Sequence, residues 1–137
     1  MYCTETDLVR RYSQQELDRV LATVPVQERA DTIARAIADA TSAINDYVGR
    51  RYPVPLAPVP QSITMRACVI ARYFLHRAGE AERIRQDYED AIAWLRDVAR
   101  GIVSLGDTAT PPPEAAAGQP ESSGPARIFS RDSLRGL

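Results

Sequence analysis

Lysine is absent from this 137-residue chain: all 17 basic side chains are arginines, and a single histidine, His76, accompanies them. Arginine's planar fork suits bidentate carboxylate or phosphate recognition, but the alanine-rich composition makes the coding bias of a GC-rich genome the simpler source. One histidine without partners at ligand spacing supports neither a metal centre nor acid–base catalysis, so His76 is assigned a surface or packing role. Two cysteines, Cys3 and Cys68, form no disulfide framework and no metal spacing, which points to a reducing compartment. Charge excess is missing too. A net charge of −1 and a pI near 5.8 provide no global attraction to nucleic acid or to an anionic membrane. The most hydrophobic window, Ala67 to Leu75, is interrupted by Arg72 and too short for a bilayer, and the N-terminus has no apolar run of the signal type. Glycine-rich phosphate loops, nucleophile elbows and His-Glu metal motifs are absent, so an enzyme is not expected, and neither a cofactor nor a metal.

What is present is helical periodicity. With 45% hydrophobic residues the chain can bury one core. Thr4 followed by Asp7, and Ser13 followed by Glu16, read as N-terminal capping pairs for two short helices, the second ending near Thr23 because Pro25 disfavours helical geometry before it. Ile33, Ile37, Ala40, Ile44 and Tyr47 recur in steps of four and three, predicting a long helix from about Glu28 to Val48. Gly49 is expected to end it in the left-handed conformation, with Arg50 and Arg51 as cations at the negative helix end. Pro53, Pro55, Pro58 and Pro60 then predict a semi-rigid polyproline strap.

Ser62 is expected to cap a helix apolar around most of its circumference, from Ile63 through Leu75, broken at Gly79. A last helix, from about Glu80 to Gly106, carries Ile84, Tyr88, Ala91, Leu95, Val98 and Ile102 on one stripe, about 39 Å long at ~1.5 Å per residue. The expected fold is all-α: a small bundle of four to five helices, two short and three long. Tyr88 and Trp94 read as bundle packing, and Asp87, Glu89 and Asp90, interleaved with Arg83, Arg85 and Arg96, as a solvated face.

The composition changes at residue 107. Residues 1–106 form the helical domain, 107–126 a Pro-, Ala-, Gly- and Ser-rich linker with a reach up to about 60 Å, and 127–137 a segment that regains large apolar residues and sets three arginines against one aspartate. Ile128, Phe129, Leu134 and Leu137 have no core role unless they fold back onto the bundle, which makes 127–137 a docking arm; an extended form is favoured over a short helix. A small regulatory DNA-binding protein is the competing reading of the N-terminal helices, although Leu8 to Leu21 presents no basic recognition helix.

Several segments together resemble one family. They are Met1-Tyr2-Cys3-Thr4 with Asp7-Leu8; Ile44-Asn45-Asp46-Tyr47 through Arg51-Tyr52-Pro53-Val54-Pro55-Leu56; Ala71-Arg72-Tyr73-Phe74-Leu75-His76; Tyr88-Glu89-Asp90-Ala91-Ile92-Ala93-Trp94-Leu95; and Phe129-Ser130-Arg131-Asp132-Ser133-Leu134-Arg135-Gly136. In order and spacing they look like the Mu-like phage and prophage head-to-tail adaptor family, long catalogued as a domain of unknown function. The resemblance implies a helical connector in the head-tail neck of the virion, made in the bacterial cytoplasm. It would assemble as a dodecameric ring beneath the portal protein and present a platform to the tail or its terminator protein. DNA would be met only by passage through the channel, and no membrane is involved. It further implies portal or neighbouring-subunit contacts by Arg127, Ile128, Phe129, Arg131, Leu134 and Leu137; Tyr47, Gly49, Arg51, Tyr52, Pro53 and Pro55 are read as a structural joint from the helix stop and proline spacing themselves. Leu21 to Arg29 is shorter than the acidic loop of some relatives, so no metal binding carries over.

Overall fold

The computed structural model describes residues 1–76 and 81–106. Among them are five helices and no strand: α1 (Glu5–Tyr12), α2 (Gln14–Val20), α3 (Val26–Val48), α4 (Gln61–Leu75) and α5 (Glu82–Arg100). Helices α3, α4 and α5 pack on one another, while the short α1 lies against α2 and α4. The expected stripe of α3 is buried at Ile33, Ile37, Ala40 and Ile44, and α4 contributes Ile63, Ala67, Cys68, Ile70 and Ala71 from the middle of the bundle. Among the described residues no polar or charged side chain is fully buried, so the core is held by apolar burial, about 25 cal/mol per Å².

The helix ends show which local signals prevailed. At α1 the Thr4–Asp7 box is complete: Thr4 Oγ1 accepts from the Asp7 amide and Asp7 accepts from the Thr4 amide at 2.9 Å. At α2 only half a box forms. Ser13 accepts from the Glu16 amide, but Glu16 reaches to Arg72 instead of turning back, and the Ser13 amide is satisfied by the Val9 carbonyl. The helix stops at Val20, earlier than Thr23, and α3 starts at Val26 after Pro25. Ser62 is not the cap of α4. Pro60 occupies that position, its carbonyl accepting from Ile63 and Thr64; a proline entering a first turn forfeits no helical donor.

Helix α5 ends at Arg100, well before the expected Gly106. Gly101 adopts φ +78°, its amide bonds the Val98 carbonyl and the Ile102 amide bonds Asp97, the paired pattern of a Schellman stop. Nineteen residues make it about 29 Å long, and Ile102, placed on the apolar stripe by spacing, is 69% exposed. Gly49 also departs from expectation: its φ is −61°, within the right-handed region. What calls for glycine there is close approach, since a Cβ on Gly49 would lie 2.7 Å from the Asn45 carbonyl oxygen and 3.3 Å from a Val54 methyl. Gly79, the expected break after α4, lies outside the described residues; α4 closes at Leu75.

Candidate functional site

Two regions combine charge, aromatic surface and defined geometry. The first is the joint. Tyr47 is half-buried at the end of α3 and packs against the core; Pro53 and Pro55 are exposed. The strap is not a straight polyproline run. It bends repeatedly, and its Val54–Pro55 and Ala57–Pro58 bonds are cis. The bends follow from anchoring: Tyr52, Leu56 and Pro60 are drawn into the bundle while Val54 and Val59 remain outside.

Two tyrosine hydroxyls supply the anchors. The Tyr2 hydroxyl accepts the Leu56 amide at 3.0 Å and donates to Asn45 Oδ1, while the Tyr2 amide donates to Thr41 Oγ1. The Tyr52 hydroxyl accepts the Leu105 amide at 3.2 Å. Burial pushes the Tyr52 phenol up, but the Leu105 amide, Ser104 and Arg51 outweigh it and leave it below its usual value. Arg51 meanwhile fills the space beside Gly101, where a Cβ would collide with its guanidinium. Arg51 therefore works across the joint on the end of α5.

The second region centres on the arginines of α1 and α4. Arg72 bonds Glu16 at 2.5 Å, approaches Asp87 at 3.7 Å and lies over the Tyr12 ring at 4.3 Å, so one side chain ties α1, α2 and α5 to α4. His76 Nε2 stands 3.5 Å from the same Glu16 carboxylate, a packing position. Beside this hub a groove of about 310 Å³ opens between α1, α4 and α5. One rim carries Arg11 and Arg66, the other Asp87 and Asp90, over a floor that includes Met65 and Val69. Arg66 stacks on Trp94 at 4.4 Å, so Trp94 holds a cation in addition to packing. Tyr88 stacks on Tyr73 with ring centroids 4.0 Å apart, as bundle packing requires.

The acidic group on α5 is divided. Glu89 pairs with Arg85 at 2.8 Å, Asp87 leans toward Arg72, and Asp90 has no cation within 4 Å among the described residues. Cys3 and Cys68 are both buried and free, and the neighbouring Cys68 thiol together with burial pushes Cys3 far above the ordinary thiol value. Among the described residues no three His, Cys, Asp or Glu side chains gather as a metal site, and no helix is long and apolar enough to cross a membrane.

Sequence spacing missed this groove and the Tyr2 anchor. Only the odd placement of Arg72 in an apolar helix signalled the hub, because such a charge must be paired or reach water. The arm residues Arg127, Ile128, Phe129, Arg131, Leu134 and Leu137 lie outside the described residues.

Comparison with known proteins fixes the relationship. The family model described as Bacteriophage Mu, Gp36 matches residues 2–123. The chain is 38% identical over 108 residues to the Mu-like prophage FluMu protein gp36 of Haemophilus influenzae, spanning 77% of this chain and 76% of that one. It is 31% identical over 107 residues to gene product J of Escherichia phage Mu, with the same shares covered. All five helices, the tyrosine-anchored strap and the arginine groove fall inside the matched span, and the chain belongs to the bacteriophage Mu Gp36 family of phage proteins.

Proposed function

We propose that the protein is a structural, non-enzymatic part of the phage particle: a head-to-tail adaptor forming a ring between the portal and the tail or its terminator protein. DNA passes through the centre of that ring, and the site of action is the head-tail neck. The observation that carries the reading is where the core ends. Leu105, bonded to Tyr52, is the last buried residue among those described, and 32 residues of sequence follow it. A Pro-, Ala-, Gly- and Ser-rich stretch ending in large apolar residues suits a tethered arm that adds contacts at high effective concentration. Near-neutral charge suits a wall past which DNA slides, because a strongly basic lumen would hold phosphate.

The test is a phage carrying this gene truncated after Gly106. Electron microscopy should show filled heads and separate tails, with joined particles restored by the full-length gene in trans. Normal yields of joined particles from the truncated gene sink the arm assignment. Salt-dependent binding of duplex DNA by the isolated full chain supports the regulatory alternative instead.

A further inference from the structure

The groove between α1, α4 and α5 is built for an occupant of mixed charge. Arg11 and Arg66 stand near each other on one rim. Burial, and then the Arg11 charge, make Arg66 less basic than an arginine in water, and neither guanidinium has a carboxylate within 4 Å among the described residues. Trp94 packs on one face of Arg66, which favours its place beside the groove. Across the opening, Asp90 is equally without a described cation. Two like charges side by side, Arg66 half-buried and Arg11 exposed, favour an incoming anion, and Asp90 favours an incoming cation. The floor of Met65 and Val69 favours apolar side chains.

We propose that this groove seats the chain's own segment 127–137, so that the docking arm is latched on its parent bundle before assembly. The segment offers the required chemistry in a short span: Arg131 beside Asp132, with Ile128, Phe129 and Leu134 as apolar side chains. The groove has room for a few side chains, not for the whole segment. The 20 residues from 107 to 126 give a maximal reach of about 60 Å, farther than α5 is long. A tether of this length holds its end at roughly millimolar effective concentration. At micromolar protein the chain's own arm therefore outcompetes a second copy. The latch rests on reading 127–137 as a docking segment, whatever its final partner is.

The test uses the full chain with a photo-crosslinking amino acid in place of Phe129, prepared as an equal mixture of ¹⁴N and ¹⁵N protein at micromolar concentration. Crosslinks should map to the Met65 and Val69 region or to α5 near Asp90, and should join light to light and heavy to heavy only. Asp90→Arg, at an exposed position, should lower their yield at least five-fold, and Arg131→Asp added to it should restore most of the loss. Arg66→Glu, with its melt checked for folding, should lower the yield similarly. Mixed light–heavy pairs overturn the latch in favour of a second copy. Crosslinks elsewhere, or a yield indifferent to Asp90→Arg, overturn the groove as the seat. Because no particle is needed, this readout is separate from the truncation experiment. Unjoined heads without a groove crosslink leave the adaptor reading standing and remove the latch, whereas a groove crosslink with normal particles from the truncated gene keeps the latch and removes the arm's part in joining.

Discussion

The hydroxyl of Tyr2 accepts the main-chain N–H of Leu56 at 3.0 Å, joining the second residue of the chain to a strap 54 positions later. Both residues are buried, so the amide has no water to turn to if the hydroxyl is removed. Tyr2→Phe keeps the ring and deletes only that acceptor and the bond to Asn45. It should cost about 1–3 kcal/mol in urea unfolding, the penalty of a buried polar group left unpaired. An unchanged midpoint would show that the strap relaxes to open the site to water.

Gly101 is required twice over, by its φ of +78° and by the Arg51 guanidinium beside it. Gly101→Ala should destabilise by about 1–2 kcal/mol from the backbone plus the cost of the collision, and in an Arg51→Ala background only the backbone part should remain. Gly106→Ala is the comparison: its φ is also positive, but nothing lies within 4 Å of an added methyl. Denaturant midpoints of the wild type, the three single variants and the double variant separate the two contributions.

Arg72 and Glu16 have side chains 19% and 24% exposed, intermediate between surface and core. A double-mutant cycle with Arg72→Met and Glu16→Gln should give a coupling of about 1.5 kcal/mol, the scale of a charge-assisted hydrogen bond. It should shrink only modestly in 1 M salt, since the pair is partly shielded. A coupling near zero would place this pair with exposed ion pairs, which contribute little.

Asp7 carries a pH dependence. Its bonds from the Thr4 hydroxyl and the Thr4 amide hold its carboxyl below the ordinary value, the hydroxyl contributing most. A folded-state pKa below the unfolded one means stability that is complete above the ordinary carboxylate value of about 3.9 and lost as pH falls toward the depressed one. Asp7→Ala should therefore lower Tm at pH 7 and have a smaller effect at pH 3. A mutant effect that is the same at both pH values would assign Asp7 no charge-dependent role.

The helices were legible because their cause is local. The four-and-three spacing of Ile33, Ile37, Ala40 and Ile44 is written in consecutive residues, and so is the Thr4–Asp7 box. The failures have distant causes. Glu16 had the right spacing to cap α2, yet Arg72, 56 positions later, takes its carboxylate. The strap read as straight because nothing within it shows that Leu56 is drawn inward by Tyr2. The early stop of α5 was readable in principle: Gly101 stands in the chain, but Ile102 and Val103 continue the apolar spacing and hide it. The groove was not readable at all, since Arg11, Arg66 and Asp90 share an opening only once three helices have taken their packing angles.

The two tyrosine anchors also determine how the bundle bears traction. Tyr2 holds the strap at Leu56 and Tyr52 holds the chain at Leu105, so residues 2 and 105 fasten to points four residues apart. A pull arriving through residue 106 meets this riveted plate before it meets the far turns of any helix. It is shared at once with α3 through Thr41 and Asn45. Load on residue 106 thus has two routes into the bundle, the backbone of α5 and the tyrosine anchors that reach α3.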